Sequence, residues 1–258
     1  MTQGVRRSQC TSGRSQPEDL SLPGWDRARL GPLRTRRVVL PRSGASFRIV
    51  QPADIDRLLD LAAADPEEQL PYWAELWPSG IALADAVLLE PDTLRGQRVI
   101  ELGCGLGVTA AAALRAGAEL LAMDYSAEAL VLTCWNCAWN AGLEPAVLRV
   151  NWRQPPEEVF AAAGFVSVPV ILAADVLYER RDVEPLRSLV ERLLRPGGLL
   201  WLAEPGRATA ASFVESLRDA GWQDETDMWP GPWPDANDAT VAVTVHRLRR
   251  PGSAPGAS

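Results

Sequence analysis

The run Val99-Ile100-Glu101-Leu102-Gly103-Cys104-Gly105-Leu106-Gly107 decides how the rest of the chain is read. An apolar strand ends in an acid, and alternating glycines then form a turn where a ligand can press against the backbone at the start of an Ala-rich helix. Twenty-one residues after Gly103 a second apolar stretch, Leu120 to Asp124, also ends in a carboxylate. That spacing sets Asp124 beside the first turn, where it can accept both hydroxyls of a ribose.

Outward from this pair the same rhythm repeats. Short runs that are apolar on both sides, at 98–102, 120–124, 146–150, 168–174 and 199–203, alternate with helical segments. The first two predicted helices run from Gly107 to before Gly117 and from the N-cap Ser126 to Gly142. A third carries the stripe Leu186, Leu189, Val190, Leu193, Leu194 with Gly197 as its C-cap, and a fourth carries Phe213, Val214 and Leu217 and stops at Gly221. Such alternation gives an α/β fold, a mostly parallel sheet with helices on both faces. Thr226 to Trp229 and the alternating Thr240 to Val245, joined by a Pro- and Trp-rich loop, read as a closing C-terminal antiparallel hairpin, which brings the sheet to seven strands. Residues 37–50 read as a further hairpin around Pro41-Arg42-Ser43-Gly44. The expected organisation is a flexible N-terminal arm over 1–36, a single domain over 37–250 and a flexible tail over 251–258.

Composition narrows the function. With 47% hydrophobic and 23% charged residues in 258, the chain can bury a core and is not globally disordered. A formal net charge of -7 argues against a phosphate-gripping surface, so no nucleic-acid partner is expected. No apolar run reaches the ~18 to 20 residues that span a bilayer, and the first twenty residues lack the apolar stretch of a signal peptide; no membrane partner is expected. Cys10, Cys104, Cys134 and Cys137 make no disulfide framework, which points to a reducing, cytoplasmic setting. Cys134 and Cys137 form a C-x-x-C, but they share a helical face with Leu130 and Ala141 and lack a second ligand pair, so they read as buried thiols and no metal is expected. His246, the only histidine, falls in the alternating C-terminal run and reads as structural.

Spacing alone leaves the ligand of the glycine turn open. A nicotinamide cofactor prefers G-x-G-x-x-G beneath a pyrophosphate, whereas here the glycines run G-x-G-x-G and Glu101 stands just before them. A carboxylate there would repel a pyrophosphate. It suits the ammonium and sulfonium groups of S-adenosylmethionine, and the cofactor is then a methyl donor. A tight turn with no ligand is the plain alternative.

Three further segments sharpen the reading: Pro71-Tyr72-Trp73-Ala74-Glu75-Leu76-Trp77-Pro78-Ser79-Gly80 upstream, then Val150-Asn151-Trp152, and Ala174-Asp175-Val176-Leu177-Tyr178-Glu179. In this order, with the glycine turn, they resemble the class I seven-strand S-adenosylmethionine-dependent methyltransferases, and within them the protein lysine methyltransferases that carry an Asp-x-x-Tyr signature. The resemblance covers roughly residues 70–207 and implies a Rossmann-like methyltransferase fold. Glu204-Pro205-Gly206-Arg207 is most similar to enzymes of that family that methylate the electron transfer flavoprotein beta subunit, which makes that subunit the implied protein substrate.

The resemblance also implies roles. Trp77 walls the cofactor pocket, Gly103 and Gly105 contact its methionine part, Asp124 holds the ribose, Trp152 packs on the adenine and Ala174 offers backbone contacts. Tyr125 is a pocket candidate by its place next to Asp124. Asp175 and Tyr178 fall beyond the carboxyl end of a central strand, where an open α/β sheet presents its active site. Asp175 is assigned to orienting an acceptor amine and Tyr178 to the wall of its slot, with a general-base role for Asp175 left open. In the blander reading Asp175 caps a turn and Tyr178 is a packing aromatic. Of the ten tryptophans, Trp73, Trp229 and Trp233 are expected to flank the cleft as part of a protein-substrate surface. Methylation of a small molecule, or cofactor binding without turnover, would fit the same scaffold.

Overall fold

The computed structural model describes residues 27–62, 70–155 and 167–252. Strands β1 (Leu33–Val39) and β2 (Ser46–Pro52) pair antiparallel as a separate two-stranded sheet. The main sheet holds β3 (Arg98–Leu102), β4 (Glu119–Asp124), β5 (Ala146–Arg149), β6 (Val168–Ala174), β7 (Leu194–Glu204), β8 (Gln223–Trp229) and β9 (Val243–Arg249) in the order β5-β4-β3-β6-β7-β9-β8. From β5 to β7 the pairing is parallel, and β9 is antiparallel to both β7 and β8. Because β6 returns to the far side of β3 from β4, the winding reverses between β3 and β6. Open α/β sheets bind their ligands at such a point, outside the carboxyl ends of the strands.

The helices are α1 (Arg27–Leu30), α2 (Ile55–Ala62), α3 (Pro78–Leu89), α4 (Val108–Arg115), α5 (Ala127–Ala141), α6 (Val183–Leu193) and α7 (Ala208–Asp219). Neighbouring residues of one strand enter opposite cores: Val99, Val170 and Trp201 pack with α3 and α4, while Ile100, Ile171 and Leu200 pack with α6 and α7. Burial on both faces is why these strands read as continuous apolar runs. Helix α3 carries no amphipathic stripe from which to predict it. Every residue from Ile81 to Val87 is buried, as in a helix that is hydrophobic all round. The exception within it, Asp85, accepts hydrogen bonds from Arg42 N (2.7 Å), Ser43 N (2.9 Å) and Trp229 Nε1 (3.2 Å), tying the β1–β2 turn to β8. On α5, Asn136 exchanges hydrogen bonds with the backbone N–H and C=O of Val50, and Asn140 with those of Arg48. Two amide side chains thus stand in for a neighbouring strand along β2.

Local signals hold where chemistry is local. Ser126 Oγ accepts from Ala129 N at 3.2 Å, and Gly142 closes α5 at φ +69°. Several features differ from the sequence expectation. Residues 27–36, read as part of the arm, form α1 and the start of β1, where Leu30 is buried; residues 1–26 and 253–258, with Cys10, lie outside the described residues. Gly197 does not cap α6, which ends at Leu193 and passes directly into β7; Gly197 and Gly198 sit where the β6–β7 register shifts between the pairs at Leu194 and Leu199. The last strand is Val243–Arg249 rather than 240–245, since pairing with all of Leu199 to Glu204 requires Thr244 to Arg249. Finally, Trp229 and Trp233 form no docking surface. Both are buried in the core under α3, with their indole N–H groups donated to Asp85 and to Val241 O. An indole whose N–H has an internal partner is at least as stable buried as exposed.

Candidate functional site

All ten site residues singled out from the sequence line one cleft of about 690 Å³, including its open mouth, at the carboxyl ends of β3, β4 and β6.

One half is built from backbone. Gly103 has φ +70°, and a Cβ there would lie 2.8 Å from Val176 Cγ1 and 3.6 Å from the Trp152 ring, so both conformation and space demand glycine. Asp124 Oδ2 accepts from Gly105 N and Oδ1 from Ser126 N, each at 3.0 Å. Tyr125 N is a third backbone donor to Asp124, and the carboxylate lines the cleft, where a remaining lone pair can meet an outside donor. Burial pushes this carboxyl up to about 6, against the opposing pull of its backbone hydrogen bonds and of Arg149. Glu101 is driven well above the usual range by burial and then by Asp124, and its Oε2 is buried without a hydrogen-bond partner. A buried acceptor left without a donor is costly, and a cationic ligand in the cleft would supply one. Trp152 donates Nε1–H to Asp182 Oδ1 (3.2 Å), Trp77 to Tyr72 O (2.8 Å), and Tyr125 its hydroxyl to Leu70 O (2.7 Å), so all three rings are held in place. A strand-end carboxylate for the ribose, an orphaned acid for an ammonium and a flat indole for a purine fit S-adenosylmethionine.

The other half is built from side chains. Asp175 has φ +53°, a left-handed conformation that Asp tolerates better than most residues, and its N–H is donated to Ala203 O at 2.9 Å. Its carboxylate is buried and gripped by Arg207, Nε to Oδ1 at 2.5 Å and Nη2 to Oδ2 at 3.1 Å. Tyr178 meets Tyr72 edge to face at 5.1 Å, and Tyr72 meets Trp77 likewise at 5.9 Å. Burial and then the charge of Asp124 raise the Tyr178 phenol above its ordinary value, so it stays protonated near neutral pH. Tyr72 and Arg207 both stand in segments quoted for the family resemblance, but the sequence assigned neither a role. Only the folded contacts reveal them. Among the described residues no group of three His, Cys, Asp or Glu side chains could hold a metal ion.

A strand order that switches at β3/β6, with a glycine turn and two strand-end carboxylates on one cleft, defines a Rossmann-like α/β fold with its ligand site at the switch point. Residues 100–200 match the methyltransferase domain family. The chain is 46% identical over 140 residues to the electron transfer flavoprotein beta subunit lysine methyltransferase of Rattus norvegicus, covering 53% of this chain and 51% of that one. With the enzyme of the same name from Mus musculus it shares 33% identity over 178 residues, 68% of this chain and 66% of the other. The N-methyltransferase NodS from Bradyrhizobium japonicum WM9, solved in complex with S-adenosyl-l-homocysteine, shares the fold with a TM-score of 0.52 at 18% identity, over 75% of this chain and 96% of that one. The chain belongs to the class I S-adenosylmethionine-dependent methyltransferases. It spans about half the length of curated relatives such as the Rattus norvegicus enzyme.

Proposed function

We propose that the chain transfers a methyl group from S-adenosylmethionine to a lysine nitrogen of a protein, and that this protein is the electron transfer flavoprotein beta subunit. One observation carries the reading: the donor-side acids Glu101 and Asp124 and the acceptor-side group Asp175, Tyr178 and Tyr72 line a single cleft. The identity shared with the lysine methyltransferases named above supports the acceptor.

Bound in the cleft, S-adenosylmethionine supplies an electrophilic methyl carbon on a sulfonium. Asp124 would accept from the ribose, Glu101 would accept from the ammonium, and Trp152 would cover the adenine. On the acceptor side the difficulty is protonation. A lysine at its reference pKa of ~10.4 must give up about 4 kcal/mol to bare its lone pair near pH 7.5. The covered ring of Tyr178, with Trp77 and the Tyr72 ring at the rim, offers a low-polarity wall that disfavours the ammonium form. Asp175 accepts an N–H of the neutral amine and aims its lone pair, so alignment provides most of the rate. The amine proton leaves to solvent. A cytoplasmic setting belongs to the proposal, supported by the buried free thiols of Cys104, Cys134 and Cys137.

The test is to incubate the protein with methyl-labelled S-adenosylmethionine and purified electron transfer flavoprotein beta subunit, then locate the label by tandem mass spectrometry. Label on lysine is the expected result. Label on another residue type, or an unlabelled subunit beside a labelled metabolite, contradicts it.

A further inference from the structure

Asp175 poses a difficulty that Arg207 resolves. An unpaired carboxylate beside the acceptor would stabilise the ammonium and hold a proton on the nitrogen that must attack. Here the guanidinium engages both carboxylate oxygens, a bidentate pair that offsets the charge and leaves one lone pair on each oxygen. We propose that Arg207 is a positioning residue that neutralises Asp175, so that Asp175 aligns the acceptor amine without keeping it protonated. The inference rests on the lysine reading above.

The surroundings of Arg207 support a fixed device. Glu204 Oε2 accepts from Gly206 N (2.6 Å) and Arg207 N (2.9 Å), pinning the turn that carries the guanidinium. Behind Glu204 stands His246, with Nε2 at 3.7 Å from Glu204 Oε1 and Nδ1 at 2.9 Å from Asp224 Oδ2. Asp224 in turn pairs with Arg218 at 2.5 Å. Glu204 and His246 are buried, and Asp224 is half-buried with its side chain covered. The chain of contacts runs from β8 through β9 and β7 to the cleft and ends on one carboxylate. Burial lowers the imidazole pKa, but Asp224 and Glu204 outweigh it and bring it up to about 9, so the chain is charged through the neutral range. Other titratable groups around the acceptor position are Tyr72, Tyr178, Glu179, Asp182 and Asp124, with Glu75, Glu101, Cys104 and Tyr125 further along the cleft; Arg153, beyond Glu179, is engaged with Asp182.

The experiment follows kcat against pH from 6.5 to 10.5, at saturating S-adenosylmethionine and beta subunit, for the full chain and its variants. S-adenosylhomocysteine binding and circular dichroism confirm that each variant folds. Arg207→Gln should move the midpoint of the rise in kcat upward by roughly one to two pH units, a loss of about ten- to a hundredfold at pH 7.5 that recovers at high pH. Arg207→Lys, which keeps a charge but not the fork, should keep the midpoint within about half a unit of wild type at reduced kcat. In the double variant Arg207→Gln/Asp175→Asn the midpoint should return, because the uncompensated charge has gone. A lowered kcat with an unmoved midpoint in Arg207→Gln would overturn the proposal and leave Arg207 a purely structural role. Wild-type protein that transfers no methyl to lysine would overturn the lysine reading and this inference with it, a result distinct from active wild type with an insensitive midpoint.

Discussion

Asp124 and Asp175 stand at the ends of β4 and β6, on either side of β3 and on the same cleft, and they are held in opposite ways. Asp124 accepts from backbone N–H groups, those of the glycine turn, of Tyr125 and of Ser126 at the start of α5. Asp175 is clamped by a side chain 32 residues away, which is itself braced by Glu204 and His246. Backbone donors are rigid and carry no compensating charge, which suits a carboxylate that must keep its charge and lone pairs for a fixed ligand. An arginine clamp neutralises the carboxylate, which suits an acceptor that has to lose a proton. The difference teaches that one fold can place two identical side chains in one cleft and give them different chemistry through their second partners.

The largest effect should come from breaking the first of these. Asp124→Ala removes two hydrogen bonds to a charged acceptor, at ~1.5 to 3 kcal/mol each, and should weaken S-adenosylhomocysteine binding by about a hundredfold or more in calorimetric titration, while Asp175→Ala stays within a few-fold of wild type. A comparable loss in both variants would erase the distinction. Next in size is the response of the acceptor half to alkali. The imidazole of His246, raised from 6.5 to about 9, stabilises the fold fully below pH 6.5, and that contribution is lost as the pH rises through 9. It amounts to about 3 kcal/mol at most, from 1.36 kcal/mol per unit. Urea melts between pH 6.5 and 9.5 should show the decline in wild type and a flatter curve in His246→Gln. The smallest effect concerns cofactor affinity in acid. The ribose site needs the ionised form of Asp124, whose pKa is near 6, so S-adenosylhomocysteine affinity should fall by up to about tenfold per unit as the pH drops below 6 and be level above 7. Affinity that rises in acid would contradict the assignment.

The same contrast explains how much of the molecule was legible in its sequence. The donor half was written in local order: three glycines, an acid at the strand end and a second acid at fixed spacing fix a turn whose geometry follows from φ and from close approach. The sheet was legible because strands buried on both faces leave unbroken apolar runs. Helix α3 was not, since full burial erased the period that would mark it. The Arg207 clamp was invisible because nothing local in Glu204-Pro205-Gly206-Arg207 says that Asp175, just past the end of β6, will lie within reach. Trp229 and Trp233 misled for a related reason: a Pro- and Trp-rich loop resembles an exposed binding surface until Asp85, on a distant helix, takes an indole N–H. His246 was read as structural from its strand. Its bracing of Glu204 depends on the pairing of β7, β8 and β9.

The most direct test of two carboxylates with two duties is to measure methyl transfer to the electron transfer flavoprotein beta subunit by Asp124→Ala and Asp175→Asn across a wide range of S-adenosylmethionine. The expected result is that high cofactor restores most of the rate to Asp124→Ala, a KM effect, and none to Asp175→Asn, a kcat effect. Rescue of Asp175→Asn by added cofactor, with Asp124→Ala unmoved, would show the duties reversed and the account wrong.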